Sequence, residues 1–213
     1  MRISSQKTSP QPRTPQRERG RARVAALLAA AGTAFAERGY EATTMTEIAA
    51  RAGASIGSLY QFFPTKELLA DALTGHYSDA LGERLGRIEA EAGTLDADAL
   101  GRRLFPLLMQ FRADHPAYAA LAEAPEAQQR GGAVRARLRQ QLHAILKRHT
   151  PTLPDEQAET LAVVALQILK AAVALNAEPG LPARAAALDD LEVLFCHYLA
   201  AHLGVAGTAP AEL

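Results

Sequence analysis

The segment Thr43–Lys66, with the sequence TTMTEIAARAGASIGSLYQFFPTK, decides the fold of this chain. Thr44 and Glu47 have the spacing of a capping box, in which a hydroxyl and a carboxylate bond free amides at a helix start. Gly53 can end this helix, because a residue without a Cβ adopts the left-handed conformation at the lowest cost. The first half of the segment therefore predicts a short helix followed by a tight turn.

A second short helix is predicted directly after that turn. Ser55 can cap its start and Pro64 ends it, while Leu59 and either Phe62 or Phe63 face inward. Two helices joined by a turn of about four residues that contains Gly form a helix-turn-helix. Such a motif lays its second helix in the major groove of DNA.

The outward side of the second helix carries no Lys, Glu or Asp between Ser55 and Gln61. A helix that only faced water would normally carry charge there. Gly57 costs about 1 kcal/mol of helix propensity, and close approach to another molecule is the simplest compensation. Ser and Gln side chains can bond base edges, and a Tyr can reach a phosphate. The composition therefore favours a helix that enters a DNA groove.

Residues from about 21 to 73 resemble the N-terminal DNA-binding domain of the TetR family of bacterial transcriptional regulators. The resemblance is carried by four stretches, which are AFAERGY at 34–40, TTMTEIA at 43–49, AGASIGSLY at 52–60 and FPTKELL at 63–69. It implies a homodimer that binds a double-stranded DNA operator through this domain and a small-molecule effector through the remaining helices. Gln61 stands where an aromatic residue is common in the family, so the resemblance does not imply a base preference.

The DNA-contacting residues are predicted from the motif together with side-chain chemistry. We expect Tyr60 and Lys66 to contact phosphates, the role of Lys66 being implied by the resemblance. We expect Gln61, Ser58 and Ile56 to contact base edges, Ile56 through a thymine methyl group. The whole predicted set is Thr44, Thr46, Ser55, Ile56, Gly57, Ser58, Tyr60, Gln61 and Lys66.

The formal net charge is zero, but the charge is unevenly distributed. Residues 1–66 contain ten Lys or Arg and four Glu, which gives +6, so the remaining residues carry −6. A basic head on an acidic body favours a polyanionic partner for the head. Residues 1–18 lack periodicity and are rich in Pro, Gln, Ser, Thr and Arg, so we interpret them as a disordered basic arm. Whether the arm contacts DNA or only keeps the protein soluble stays open.

The rest of the chain shows no alternation typical of strands and predicts an all-α fold with about nine helices in total. A helix over 19–39 braces the helix-turn-helix, and a helix that begins after Thr65 links the head to the body. We therefore assign a helix-turn-helix domain to 19–66 and a helical effector-binding and dimerisation domain to 67–213. Pro and Gly punctuation divides the body further into segments 95–114, 117–123, 133–149, 155–177 and 183–203.

The last two predicted helices form the predicted dimer surface. Segment 158–177 is apolar nearly all round, so most of its faces must be covered. The final helix presents the apolar residues Leu188, Leu191, Leu194, Phe195, Tyr198 and Leu199, and from these we assign Leu188, Leu191, Phe195 and Tyr198 to the dimer interface. Two such helices from each subunit can form an isologous four-helix bundle, as the resemblance also implies. The alternative, that these helices bury only the core of their own subunit, stays open.

An effector pocket is implied by the resemblance, and several residues are candidates for its lining. An apolar pocket needs a few directed polar groups among aromatic and polarizable side chains. The same mixture is also typical of an ordinary core. The predicted ligand-binding residues are Phe105, Met109, Arg112, Tyr118 and Lys170.

Enzymatic, metal-binding and membrane functions find no support in the sequence. The six histidines form no metal-binding helix pattern, and no nucleophile elbow, phosphate loop or dinucleotide fingerprint is present. We therefore expect no catalytic residue, no metal and no cofactor. No apolar run reaches the ~18 residues of a membrane span, and a single cysteine fits the reducing cytoplasm. The alternative function is a small-molecule or redox sensor, based on Cys196, whose head no longer binds a specific operator.

Overall fold

The structure, a computed structural model, describes residues 16–123 and 127–204. These residues form ten α-helices and no strand, which confirms the predicted all-α fold with a helix-turn-helix head and a helical body. The predicted arm, 1–18, lies almost wholly outside the described residues. The helices are α1 (Gln16–Ala42), α2 (Met45–Arg51), α3 (Ile56–Phe62), α4 (Lys66–Ala92), α5 (Ala97–Leu104), α6 (Leu107–Asp114), α7 (Pro116–Glu123), α8 (Ala127–His149), α9 (Asp155–Ala177) and α10 (Arg184–Leu203).

Two helix boundaries differ from the sequence prediction. The segment 95–114 forms two helices rather than one, because the chain turns at Phe105 and Pro106 before α6 begins. Pro106 has no amide hydrogen to continue the bonding pattern of α5. In contrast, α8 begins at Ala127 and runs through the glycines at 131 and 132. Glycine costs a helix only about 1 kcal/mol, so a glycine pair does not end a helix that tertiary packing supports.

The head has a hydrophobic core of its own. Leu27 and Phe35 of α1 pack with Ile48 of α2 and Leu59 of α3, and all four side chains are fully buried. Gly39, with φ of +76°, breaks α1 where the sequence predicts its end and turns the chain toward α2. The apolar cluster continues along α4 to residue 73 and also includes residues of α7. The core beneath the head therefore extends beyond the predicted domain boundary at residue 66.

A second, larger cluster forms the body. It is built from α4 beyond residue 80, α5, α6, α8, α9 and α10. Helix α9 is 23 residues long, and its most apolar 18-residue window has a mean hydropathy of 1.8, which would suffice for a membrane span by length and composition alone. However, one side of α9 packs against α8 and α10 as part of the body core. The apolar character of this helix is therefore explained in part by core packing.

Helices α5 and α10 approach each other closely at Gly101. A Cβ added at Gly101 would lie 2.7 Å from Sγ and 3.1 Å from Cα of Cys196. Since the second atom belongs to the backbone of α10, the two helices would have to separate.

We expect Gly101→Ala to lower the free energy of unfolding by about 1–2 kcal/mol, as overpacking of a core does. The matched control is Gly86→Ala, because Gly86 is exposed within α4 and a Cβ there would meet no atom within 4 Å. This control should gain about 0.5–1 kcal/mol through the unfolded state. Urea unfolding of both variants measures the difference, and equal stabilities would contradict the close approach.

Candidate DNA-binding surface and ligand cavity

Helices α2 and α3 both begin at the caps that the sequence predicts. Thr44 accepts a hydrogen bond from the Glu47 amide at 3.2 Å, and Ser55 accepts one from the Ser58 amide at 3.2 Å. Gly53 has a φ of +58°, as the turn requires. Only half of the predicted capping box forms, because the Glu47 carboxylate accepts hydrogen bonds from Arg38 and Arg51 instead. Opposite charges thus outcompete the backbone amide.

These ion pairs join α1 to α2. Arg51 contacts Glu37 at 2.6 Å as well as Glu47 at 2.9 Å, and so connects the two helices. The hydrogen bond from Arg51 lowers the pKa of the Glu37 carboxyl. A third arginine, Arg23, donates to the Gly53 carbonyl at 3.4 Å, so it supports the turn from α1. The helix-turn-helix is therefore positioned by a charged outer layer as well as by its apolar core.

Helix α3 lies on the surface with its predicted contact side free. Leu59 is its buried anchor, while Tyr60 is 47% exposed and Gly57 has no atom within 4 Å of the place of a Cβ. Ser58 is half-buried, so its hydroxyl is less accessible than the sequence suggests. Other members of the predicted DNA-contacting set are exposed, namely Thr44, Thr46, Ser55, Ile56 and Gln61.

The structure resolves which phenylalanine faces inward. Phe63 is buried in the head core, whereas Phe62 is 39% exposed. Leu68, in the first turn of α4, is 49% exposed. The predicted contact set contains neither Phe62 nor Leu68. The spacing of four residues from Leu59 to Phe63 does favour Phe63 as the buried phenylalanine. The exposed side of the head is therefore more apolar than predicted.

Lys66 has a structural role that the sequence does not reveal. Its ammonium group donates to the carbonyls of Tyr40, Glu41 and Thr43 at 3.0, 3.3 and 3.3 Å. It also lies 4.4 Å from the centroid of the Tyr40 ring. A lysine has three ammonium donors, and all three are directed at the end of α1. The phosphate contact of Lys66 stays a prediction, and a phosphate would have to compete with these carbonyls.

We expect Lys66→Met to lower the free energy of unfolding by about 1 kcal/mol, because the carbonyls that end α1 lose a charged donor that is partly exposed to water. Methionine preserves most of the apolar stem over Tyr40. Arg19→Met is the control, since Arg19 is exposed and makes no ion pair or hydrogen bond within the described residues. Thermal unfolding measures both variants. If they were equally stable, Lys66 would have no bracing role.

A cavity of about 440 Å³ lies in the body beside the head. The predicted residues Arg112, Tyr118 and Lys170 line it. Burial raises the pKa of the Tyr118 hydroxyl, which therefore stays protonated and can donate a hydrogen bond. Among the residues that the structure describes, the lining is Thr74, Leu108, Arg112, Tyr118, Leu121, Ala122, Val134, Arg135, Leu138, Leu166, Lys170, Val173, Ala174 and Ala177.

Two predicted ligand-binding residues do not line this cavity. Phe105 is buried in the body core with its ring 5.9 Å from that of Phe195. Met109 is half-buried and packs against the same core. The break at Pro106 explains the position of Phe105, because it separates Phe105 from the helix α6 that carries Arg112. Met109 lies on α6 itself, on a side that packs against the core.

Helix α7 connects the cavity to the head, which the sequence does not indicate. Leu121 lines the cavity and also belongs to the apolar cluster of the head, where Ala117 lies beside it. On the α1 side, a Cβ added at Gly32 would lie 2.9 Å from the Tyr77 hydroxyl and 4.0 Å from the Cβ of Ala117. Thus α1, α4 and α7 meet at one close contact. The sequence predicts α4 as the link between the head and the body, and α7 is a second link between them.

The outward face of α10 includes only part of the predicted set, since Leu194 is exposed and Phe195 is not. Phe195 is fully buried (0% exposed) in its own subunit, and Leu188, Leu191 and Tyr198 pack half-buried against the same core. The assignment of Phe195 to the dimer interface is therefore wrong, because its side chain has no surface left to bury. The large apolar residues that remain exposed on the last two helices are Val163, Val193 and Leu194.

Cys196 is buried, and its environment does not activate it. Its Sγ lies 3.8 Å from the Asp98 carbonyl oxygen. Burial, followed by the Asp98 charge, raises the pKa of the thiol. Because the thiolate is the reactive form, this position does not favour a redox sensor. Among the described residues, no group of His, Cys, Asp and Glu is arranged to hold a metal ion.

Two family models match the chain. The model of bacterial regulatory proteins of the tetR family matches residues 27–73, which contain α2 and α3. The model of the tetracyclin repressor-like C-terminal domain matches residues 97–199, from α5 into α10. The two matches together contain the helix-turn-helix, most of the body and the helices around the cavity.

Similar proteins agree with these matches. The chain is 48% identical over 58 residues to the HTH-type transcriptional repressor KstR2 of Rhodococcus jostii and 42% identical over 62 residues to that of Mycolicibacterium smegmatis. These stretches span 27% and 29% of this chain, and 28% and 30% of the respective relatives.

Solved structures share the fold. A TetR-like transcriptional regulator from Rhodococcus sp. RHA1 superposes with a TM-score of 0.55 at 24% identity, over 92% of this chain and 100% of that one. A tetR-family transcriptional regulator from Streptomyces coelicolor superposes with a TM-score of 0.60 at 22% identity, over 86% and 83% of the two chains. With both family models matched and this fold in common, the chain belongs to the TetR family of bacterial transcriptional regulators.

Proposed function

We propose that this protein is a cytoplasmic homodimeric repressor that binds a near-palindromic DNA operator and is released from it by a small-molecule effector. The observation that carries the proposal is the exposed, uncharged side of α3. A solvated helix surface normally carries ionised side chains, whereas this one presents Gly57, Tyr60 and Gln61. Such a surface is suited to a narrow space between groove walls.

The proposed contacts divide into phosphate and base contacts. Tyr60 contacts a phosphate through its hydroxyl. Gln61 and Ile56 contact base edges, and Ser58 joins them when its half-buried hydroxyl reaches the groove. Thr44, Thr46 and Ser55 contact the operator from the two helix starts. Lys66 reaches a phosphate only by giving up part of its bonding to the carbonyls at the end of α1.

The proposed dimer uses the exposed apolar faces of α9 and α10. Val163 on α9 and Val193 and Leu194 on α10 remain uncovered in one subunit. Exposed apolar side chains on neighbouring long helices favour pairing with a second copy, which would bury the same patch on both subunits. Such a dimer places two α3 helices to contact two half-sites about 34–36 Å apart.

Release would operate through α7. Because Leu121 contacts both the cavity and the head core, a ligand that displaces α7 also displaces the support of α1. The orientation of the two heads then no longer matches the operator spacing. In thermodynamic terms, the ligand binds the mismatched dimer more tightly and so shifts the population toward it.

The test is selection of genomic DNA fragments by the purified protein at moderate salt, where non-specific binding is weak. We expect enrichment of a near-palindrome whose half-sites are one helical turn apart. Gly57→Ala protein serves as the control and should enrich the same fragments less strongly. If the unaltered protein enriched no palindrome, its head would not be a sequence-specific DNA-binding domain.

A further inference from the structure

Within the described part of the chain, the charged residues that line the cavity are all basic. They are Arg112, Arg135 and Lys170, and no described lining residue is Asp or Glu. This composition runs against that of the surrounding chain, since residues 67–213 contain 13 Lys or Arg and 19 Asp or Glu. The three basic residues in the described lining are therefore a local feature of the cavity and not a consequence of overall composition.

Two of these cations have no acidic partner within the described residues. The Lys170 ammonium lies 3.3 Å from the Gln167 side-chain oxygen, which is a neutral acceptor. Arg135 is exposed on α8 and makes no ion pair or hydrogen bond with the described part of the chain. Other surface arginines of the body do have such partners, as Arg84 pairs with Asp114 at 2.8 Å and Arg137 with Asp79 at 2.6 Å. Lys170 and Arg135 are thus available to an anion.

The other described lining residues are apolar apart from the hydroxyl groups of Thr74 and Tyr118. The Thr74 hydroxyl is buried and has no hydrogen-bond partner among the described residues, and the Tyr118 hydroxyl stays protonated. Leu121, Leu138 and Leu166 are among the aliphatic side chains. At about 440 Å³, the cavity lies within the range of sites that enclose small molecules, about 300–1,000 Å³.

We propose that the effector of this protein is an amphipathic carboxylate, with an apolar body among the leucines and its carboxylate toward Lys170, Arg112 and Arg135. A carboxylate is the anion that arginine and lysine bind through charge-assisted hydrogen bonds, and the Thr74 and Tyr118 hydroxyls can donate to it as well. The effector role rests on the proposed function, whereas the charge preference of the cavity can be measured without DNA.

The first test compares three probes with the same ten-carbon chain, namely decanoate, 1-decanol and decylamine. Their affinities for the full-length protein are measured by calorimetric titration below the concentrations at which they form micelles. We expect decanoate to bind at least about ten-fold more tightly than decanol, and decylamine to bind more weakly than decanol. Equal or tighter binding of decanol or decylamine would overturn the proposal, as would the absence of binding by all three.

The second test uses the double variant Arg135→Met, Lys170→Met. It removes both positive charges and keeps a long unbranched side chain at each position. It should lose about ten-fold in decanoate affinity and nothing in decanol affinity. Arg87→Met, which removes an exposed arginine of α4 that does not line the cavity, should change neither. Circular dichroism confirms that each variant is folded. An unchanged ratio of decanoate to decanol affinity in the double variant would place the anion elsewhere.

The two proposals can fail separately. A cavity that prefers decanoate in a protein that selects no palindrome would keep the charge assignment and overturn the DNA-binding proposal. A protein that binds its palindrome and prefers decanol would keep the DNA-binding proposal and overturn the charge assignment. Where both hold, decanoate should release the selected fragment at lower concentrations than decanol, and a bound fragment insensitive to saturating decanoate would overturn the effector role.

Discussion

Replacing Leu194 with Glu is expected to make the protein monomeric and to weaken operator binding at least about a hundred-fold. Leu194 is 55% exposed in the subunit, so the substitution leaves the core of the subunit intact. In the proposed dimer it would bury one carboxylate from each subunit in an apolar contact, and burial of an unpaired charge is unfavourable. Because linked heads gain about 10²–10⁴ in affinity over single ones, the loss of pairing removes most of the operator affinity.

Leu68→Glu is the matched control for the oligomeric state. Leu68 is 49% exposed, about as much as Leu194, but lies in the head on α4. Sedimentation measures the mass of both variants, and only Leu194→Glu should be monomeric. A charge at Phe195 would not serve, since that side chain is fully buried and the substitution would unfold the subunit. A dimeric Leu194→Glu protein would show that the two subunits meet elsewhere.

Gly57→Ala is expected to raise stability and to lower operator affinity, two effects of opposite sign. No atom lies within 4 Å of the added methyl group in the free protein, so the helix gains about 0.5–1 kcal/mol from its higher propensity. In the proposed complex, the added methyl group would separate α3 from the groove wall. A loss of about 1.4 kcal/mol at each of two heads corresponds to about a hundred-fold in affinity.

The opposite signs distinguish this result from simple damage to the head. Unfolding in urea and binding to the selected palindrome measure the two quantities on the same preparation. Gly86→Ala is again the control, because it adds the same methyl group to an exposed helix position away from the head. The Gly86→Ala protein should be stabilised by a similar amount and should bind the palindrome as tightly as the parent. If Gly57→Ala bound the palindrome as tightly as the parent, α3 would not approach DNA closely at this residue.

Part of the candidate site could be predicted because its causes are local in sequence. The caps at Thr44 and Ser55 act over three residues, and Gly53 acts on its own backbone. The exposed, uncharged side of α3 follows from the helix period once Leu59 is placed inward. These features require no knowledge of distant packing partners, which is why the motif is readable from its own residues.

Other features could not be predicted because distant parts of the chain determine them. The bonding of Lys66 to the end of α1 depends on contacts 23 to 26 residues away. Phe105 does not line the cavity, because the chain breaks at Pro106 and the Phe105 ring packs against Phe195 on α10. The periodicity of an apolar helix such as α10 indicates that its sides must be covered. It does not indicate whether its own subunit or a second one covers a given side.

The sequence by itself thus determined the all-α class, the helix-turn-helix and the surface that α3 presents, since helix starts, turns and charge distribution act through neighbouring residues. Only the tertiary structure decided the outward face of α10, the second link through α7 and the basic lining of the cavity. Each of these features depends on which side chains from separate helices come into contact. The burial of a side chain is determined by these distant contacts and not by its neighbours in sequence.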